Sequence, residues 1–160
     1  MSDLIQSQED TRPAVADGVL LRRSRPLLPM RCVMALLDIP EMKVEALIET
    51  GRLLWAWNVS LGASRRCLRV WYVSVIAYLQ GTGQPTASER EILNSLFPHA
   101  ALTLTAPEVE RLLSVGNDHV RALIKRRALQ CLNHPSPGPT GVAKISRASV
   151  WEFLKGRRVC

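Results

Sequence analysis

An internal repeat is the feature that most constrains the fold of this chain of 160 residues. Residues 33–53 align without a gap with residues 109–129 at a constant offset of 76. The alignment contains eight identical apolar pairs: Val33/Val109, Leu36/Leu112, Leu37/Leu113, Val44/Val120, Ala46/Ala122, Leu47/Leu123, Ile48/Ile124 and Leu53/Leu129. A repeated pattern of apolar positions predicts that the chain folds as two copies of one small unit.

The repeat resumes beyond a loop at an offset of 75. The matched pairs there are Val70/Ile145, Ser74/Ser149, Val75/Val150, Tyr78/Phe153, Leu79/Leu154 and Gly81/Gly156. Unrelated amphipathic helices share some Leu and Val positions by chance, but here the order of helix, turn, helix, loop and helix is repeated as well. We therefore predict a flexible N-terminal tail (1–26), a first repeat (27–81), a linker with a short helix (82–102) and a second repeat (103–157).

The second repeat begins with the pattern of a helix-turn-helix. Thr105 and Glu108 have capping-box spacing, and Val109, Leu112 and Leu113 then form one apolar helical face. A turn over residues 114–117 breaks this helix, and Asn117 or Asp118 is expected to cap the next one. That next helix buries Val120, Leu123 and Ile124. Two short helices joined by a tight turn indicate a helix-turn-helix, whose second helix we call the recognition helix.

A short hairpin and a last helix follow. Residues 128–132 and 142–145 read as two strands around a loop rich in Pro and Gly. We call this segment (128–145) the second wing, and residues 55–71 are the first wing. Ser146 is expected to cap a final helix carrying Val150 and Phe153. The fold class predicted is mainly α with small β-hairpin wings (α+β).

The order of these residues resembles that of the excisionase-like, MerR-related winged helix-turn-helix domains. The residues that carry the resemblance are Leu112-Leu113, Val115, Val120-Arg121, Leu123-Ile124, Leu129, Ile145-Ser146-Arg147, Val150 and Phe153-Leu154. The first repeat follows the pattern more loosely. The resemblance implies two tandem winged helix-turn-helix modules that bind DNA, with the recognition helix in the major groove and the wing near the backbone or minor groove.

The charge of the chain supports an anionic partner. The formal net charge is +7, and residues 104–160 carry ten Lys and Arg against four Asp and Glu. We expect Asn117, His119 and Arg121 to read bases, while Lys125, Arg126 and Arg127 hold phosphates. Cations near a helix C-terminus also favour its dipole, which is the simpler alternative.

Further DNA contacts are predicted on both wings and on the first recognition helix. These candidates are Lys144 and Arg147 beside the second wing, Arg65, Arg66 and Arg69 on the first wing, and Lys43. A solvated basic turn is the alternative for the wings. The first recognition helix (40–51) carries Glu41, Glu45 and Glu49, which is a poor surface for phosphate. Trp55, Trp57 and Trp71 belong either to the core or to an interface with a protein partner or a second copy.

Other classes of function find little support. The three histidines have no nearby nucleophile pattern, and no glycine-rich phosphate loop occurs, so we expect no enzyme and no small-molecule substrate. The four cysteines lie far apart, so we expect reduced thiols, no metal and no cofactor. No apolar run reaches the length of a membrane span, and the polar N-terminus does not resemble a secretory signal. These features predict a cytoplasmic protein, and the DNA binding that the resemblance implies would associate it with the nucleoid.

The sequence thus predicts a sequence-specific double-stranded DNA-binding protein. The resemblance fits either a transcriptional regulator or an excisionase-like accessory factor of a phage or mobile element. Two alternatives stay open. One is a protein-interaction adaptor in which the first repeat docks a partner, and the other is an architectural DNA binder without sequence preference.

Overall fold

The computed structural model describes residues 25–62, 65–97, 101–133 and 142–160. Most of the predicted tail (1–24) and the tip of the second wing (134–141) lie outside these residues. The described chain forms five strands: β1 (Leu27–Pro29), β2 (Ala56–Asn58), β3 (Leu68–Trp71), β4 (Thr103–Thr105) and β5 (Lys144–Ser146). Its seven helices are α1 (Met30–Leu37), α2 (Glu41–Glu49), α3 (Tyr72–Gln80), α4 (Glu89–Leu96), α5 (Ala106–Leu113), α6 (Asn117–Lys125) and α7 (Arg147–Lys155).

These elements confirm the mixed α+β class. The strands form two small antiparallel sheets, one with the order β1-β3-β2 and one that pairs β4 with β5. Among the described residues, no helix is long and apolar enough to cross a membrane.

The repeat in the sequence is also a repeat of local structure. The strand and two helices β1-α1-α2 recur as β4-α5-α6 exactly 76 residues later, and α3 recurs as α7 after 75 residues. The turns between the paired helices agree in detail, because Asp38 and Ser114 both adopt left-handed conformations with φ of 52° and 51°. In both turns the next amide donates to the carbonyl five residues earlier, over 3.2 Å at Ile39 and 3.1 Å at Val115. The same backbone turn is thus built twice from different residues.

Two of the predicted helix caps are confirmed and one is wrong. The hydroxyl of Thr105 accepts from the Glu108 amide at 3.4 Å, and a Glu108 carboxylate oxygen accepts from the Thr105 amide at 2.6 Å. The Ser146 hydroxyl accepts from the Ser149 amide. In α6, however, the cap residue is Gly116 and no side chain caps the helix. The tight turn places Asn117 one position inside the helix, where its amide group instead donates to Glu110 Oε1 at 2.7 Å.

The second wing differs from the predicted hairpin. The main partner of β5 is β4, the strand that leads into α5, with Leu104 opposite Ile145. The predicted strand at 128–132 contributes a single bridge between Cys131 and Ile145. Its first residue belongs to the turn that ends the recognition helix, because the Ala128 amide donates to the Leu123 carbonyl at 2.9 Å. The beginning of the segment that was expected to form a strand therefore belongs to the turn at the end of the helix.

The sheet of the first repeat is buried on both faces. On one face, Leu28, Ala56 and Val70 pack on the core of the first repeat. On the other face, Trp57 and Trp71 join a second cluster that contains most of the buried residues of the second repeat. Trp57 is only 1% exposed. The tryptophans therefore pack inside the chain, so the first alternative, a place in the core, is confirmed, and the alternative of a surface for an external partner is wrong.

The predicted linker helix is an element of the core. Helix α4 begins at a capping box formed by Ser88 and Glu91, as the sequence pattern suggests for residues 88–97. Its Ile92 and Leu96 are buried in the same cluster as Trp71, whose indole Nε1 donates to Ser95 Oγ at 3.2 Å. The sequence allows this helix either to set the spacing of the repeats or to pack on one of them, and the burial of Ile92 and Leu96 confirms the packing role.

Arg69 is the central polar contact between the repeats. It lies on β3, is 8% exposed, and donates from Nε to the Leu113 carbonyl at 2.8 Å and from Nη2 to the Ser114 carbonyl at 2.7 Å. Burial lowers the pKa of its guanidinium. The predicted role of Arg69 in binding phosphate is therefore wrong, since its donors face the carbonyls that end α5 and not the surface.

Further bonds connect the same two surfaces. The Ser114 hydroxyl donates to the Leu27 carbonyl at 2.6 Å, and His119 Nε2 donates to the Val59 carbonyl at 2.7 Å. The residues after α7 extend the first sheet, because the Asn58 amide donates to the Arg157 carbonyl at 2.9 Å and the Val159 amide donates to the Ala56 carbonyl at 2.8 Å. The second repeat thus contributes both a helical turn and an edge segment to the first.

Replacing Arg69 by methionine tests this junction. Arg69→Met keeps an apolar stem but leaves buried carbonyls without donors, so we expect the free energy of unfolding to fall by about 2–4 kcal/mol. Urea denaturation measures the change. Arg65→Met is the matched control, because Arg65 is exposed on the same wing, and we expect it to change stability by less than about 0.5 kcal/mol. Equal effects of the two substitutions would contradict the role assigned to Arg69.

Candidate nucleic-acid interface

Three polar residues form one exposed stripe along the recognition helix of the second repeat. Asn117, Arg121 and Lys125 are spaced four residues apart on α6, so they lie on the same face of the helix. All three are exposed, whereas Val120 and Leu123 on the opposite side are buried. Burial of that apolar face holds the helix against the core and directs the polar stripe outward.

The stripe forms a wall of a groove with a volume of about 1150 Å³, which we call the second groove. Ala106 and Pro107 at the start of α5 form part of the lining. Described residues of the second wing form another part: Leu129, Gln130, Cys131, Asn133, Val142 and Ala143. Arg127 also lines this groove. The fold therefore brings the recognition helix and the second wing together on one concave surface.

Not all candidates from the second repeat belong to the second groove. His119 points to the first repeat through its bond to Val59. Arg126 reaches the first wing, since its Nη1 lies 3.8 Å from the position that a Cβ on Gly62 would take. Arg147 is half-buried with its guanidinium 5.2 Å from the centre of the Phe97 ring. Lys144 is exposed on β5 but outside the lining of the groove.

A corresponding groove exists in the first repeat, with a volume of about 750 Å³, and we call it the first groove. Its lining includes Glu41 and Glu45, which occupy the positions of Asn117 and Arg121 in the repeat. The lining also includes the turn of the second repeat, from Ser114 to Gly116. Lys43 is exposed on α2 but does not line the groove.

The first groove brings four exposed arginines together. Arg65 and Arg66 come from the first wing, as predicted, while Arg25 precedes β1 and Arg31 lies on α1. In the sequence, Arg25 belongs to a short basic arm with Arg22 and Arg23, which is expected either to track DNA or to keep the tail soluble, whereas no site is predicted for Arg31. The position of Arg31 can be inferred from the repeat, because Arg31 corresponds to Pro107, a residue of the second groove.

The recognition helices of the two repeats carry opposite charges at two of three matched positions, and at the third a glutamate is matched by an asparagine. Glu41, Glu45 and Glu49 in α2 correspond to Asn117, Arg121 and Lys125 in α6. In the second groove the cations lie on the helix. In the first groove the helix is acidic and the cations lie on the surrounding segments.

Arg127 combines a position in the second groove with an uncommon backbone conformation. Its φ is 59°, and the matched residue of the first repeat is Gly51, with φ of 68°. Left-handed conformations cost residues with a Cβ about 1–2 kcal/mol, whereas glycine adopts them without this cost. The second repeat thus retains a strained cation where the first repeat has the unstrained residue.

Comparison of the chain with protein-family models, curated proteins and solved structures returned no match. In the part of the chain that the structure describes, no group of three or more His, Cys, Asp or Glu is placed to hold a metal ion.

Replacing Arg127 by glycine is expected to change stability and nucleic-acid binding in opposite directions. We expect the substitution to increase the free energy of unfolding by up to about 1 kcal/mol, because it relieves a left-handed arginine, and to weaken nucleic-acid binding by removing a cation from the second groove. Thermal denaturation and fluorescence anisotropy measure the two effects. Gly51→Ala is the mirror control and is expected to destabilise. An Arg127→Gly protein that is less stable than the parent would contradict the strain assigned here.

Proposed function

We propose that the protein is a sequence-specific double-stranded DNA-binding protein built from two winged helix-turn-helix repeats. The observation that carries this proposal is the exposed stripe of Asn117, Arg121 and Lys125, which faces a groove shared with the second wing. The repeated helix-turn-helix geometry and the net charge of +7 support the same conclusion. Such a protein acts as a transcriptional regulator or as an excisionase-like accessory factor on the nucleoid.

The chemistry of the stripe fits the major groove. An α-helix is about 10–12 Å wide with its side chains and the major groove is about 12 Å wide, so α6 fits inside it. Arg121 is suited to a bidentate contact with guanine, and Asn117 is suited to adenine. Lys125 is the last residue of the helix and Arg127 follows its end, and both are positioned for phosphate contacts that fix the register. In this arrangement the second wing lies beside the backbone.

A second candidate function is protein binding at the second groove. It is favoured by the apolar part of the lining, formed by Pro107, Val142 and Ala143, and by Leu132 nearby, which is 54% exposed. An acidic amphipathic segment would match an apolar surface with a cationic rim. Salt distinguishes the two candidates, because DNA affinity falls steeply with ionic strength and affinity for an apolar interface does not.

Alanine substitutions in the stripe test the proposed function. Duplexes are first selected from a random pool on the full chain, and anisotropy titrations then give affinities at several salt concentrations. We expect Arg121→Ala to lower affinity about 5- to 100-fold and to relax base preference at one position. Lys125→Ala is expected to weaken binding to all sequences and to reduce the salt slope by about 1.

Arg90→Ala is the matched control for both substitutions, because Arg90 is exposed on α4 and outside both grooves. Its expected effect on affinity is less than about twofold. The proposed function fails if no duplex is bound at low salt, or if Arg90→Ala weakens binding as much as Arg121→Ala. Equal affinity for selected and random duplexes would favour an architectural binder.

A further inference from the structure

The first groove has four exposed arginines in its lining, in addition to the buried Arg69. Arg25, Arg31, Arg65 and Arg66 are all exposed and line one groove. Among the described residues, none of them forms an ion pair with Glu41 or Glu45, the two carboxylates that line the same groove. Four exposed arginines against two carboxylates leave the groove with an excess of positive charge, which raises the local potential and attracts polyanions. A nucleic-acid backbone supplies the regular row of charges that such a cluster matches.

We propose that the first groove is a second DNA site, held at a fixed distance and rotation from the second groove, so that the chain recognises a duplex with two half-sites at one spacing. This inference rests on the proposed function. The new elements are that residues of the first repeat bind DNA as well and that the two half-sites of the duplex have one fixed spacing.

The acidic helix has a defined part in this site. A carboxylate repels phosphate but accepts a hydrogen bond from the exocyclic amino group of cytosine in the major groove. Glu41 and Glu45 therefore face base edges, while the four arginines contact the backbone on either side. This arrangement predicts that the half-site of the first repeat contains cytosine where Glu45 is placed, in contrast to the guanine preferred by Arg121 in the other half-site.

The spacing follows from the junction between the repeats. Arg69, Ser114 and His119 each make a hydrogen bond across it, and the edge segment after α7 pairs with β2. The tryptophan-rich face of the first sheet is buried against the second repeat. A flexible tether would let the two sites adapt to different spacings, but repeats fixed through a shared core cannot.

Nuclease footprinting of the full chain on its selected duplex tests the assignment. The duplex is expected to be protected over two adjacent half-sites. The double variant Arg65→Ala/Arg66→Ala is expected to lose protection of one half-site, to lower affinity at least tenfold and to reduce the salt slope by about 2. Arg121→Ala/Lys125→Ala is expected to lose protection of the other half-site. Arg90→Ala leaves both footprints unchanged.

Altered duplexes test the fixed spacing. Insertion of either 5 or 10 base pairs between the half-sites is expected to reduce affinity to that of a single half-site, because one turn of DNA is about 34 Å long and the fused repeats cannot extend over it. A flexible connection would instead recover affinity at 10 base pairs. Glu45→Gln is expected to reduce the preference for cytosine in the half-site of the first repeat, and Glu89→Gln on α4 is its control.

Two outcomes overturn this inference while the proposed function stands. One is a single half-site footprint that depends on Arg121 and Lys125 but not on Arg65 and Arg66. The other is unchanged affinity after either insertion. If DNA affinity is unchanged when Arg121 and Lys125 are replaced, by contrast, the proposed function itself is overturned. Circular dichroism of each variant establishes that these substitutions of surface residues leave the fold intact.

Discussion

The buried guanidinium of Arg69 determines how the two repeats are joined. A buried cation is tolerated only when its donors are matched, and here two of the acceptors are carbonyls of Leu113 and Ser114, at the end of α5. The last carbonyls of a helix lack partners inside the helix and carry partial negative charge. One side chain of the first repeat thus completes a helix of the second. The turn that orients the second recognition helix is consequently part of the junction.

The packing of one repeat on the other explains why two similar backbones carry such different residues. Trp57 and Trp71 of the first sheet correspond to Leu132 and Ser146 in the second repeat, and Arg69 corresponds to Lys144. In the first repeat this face is covered by the other repeat and is buried. In the second repeat Leu132 and Lys144 are exposed. The sheet face without a neighbour thus has a lysine and a serine at two of the three matched positions and an exposed leucine at the third, and its wing lies beside the second groove.

Local patterns in the sequence were sufficient to predict the helices. The apolar spacing of Val109, Leu112 and Leu113, together with the Thr105–Glu108 capping box, depends on neighbouring residues only, and so the prediction of α5 was confirmed. Strand β4 was missed because three residues are too few to display an alternating pattern. The burial of Arg69 was missed for a different reason. Its acceptors lie 44 and 45 residues away, so its position depends on how the repeats pack.

The candidate site was predictable to the extent that it follows from the repeat. The stripe on α6 was identified because helical spacing places Asn117, Arg121 and Lys125 on one face. The arginine cluster of the first groove was identified only in part, since Arg25 and Arg31 come from segments that meet the first wing through β1 pairing with β3. A short antiparallel pairing of this kind brings together residues about 40 positions apart and leaves no local signal in the sequence.

The distribution of charge in the two grooves has a consequence for specificity. A groove lined by cations alone binds any polyanion, because phosphate contacts are independent of base sequence. Carboxylates at Glu41 and Glu45 weaken that general attraction, but they weaken it least for a duplex that offers amino groups at the right positions. Repulsion of the wrong sequences improves discrimination but lowers the affinity of each site. When the two sites belong to one rigid unit and bind the same duplex simultaneously, the overall affinity is recovered. The acidic recognition helix is a poor surface for phosphate when considered alone, but it fits the two-site protein that we propose, in which the arginines of the first groove and the second groove supply the affinity.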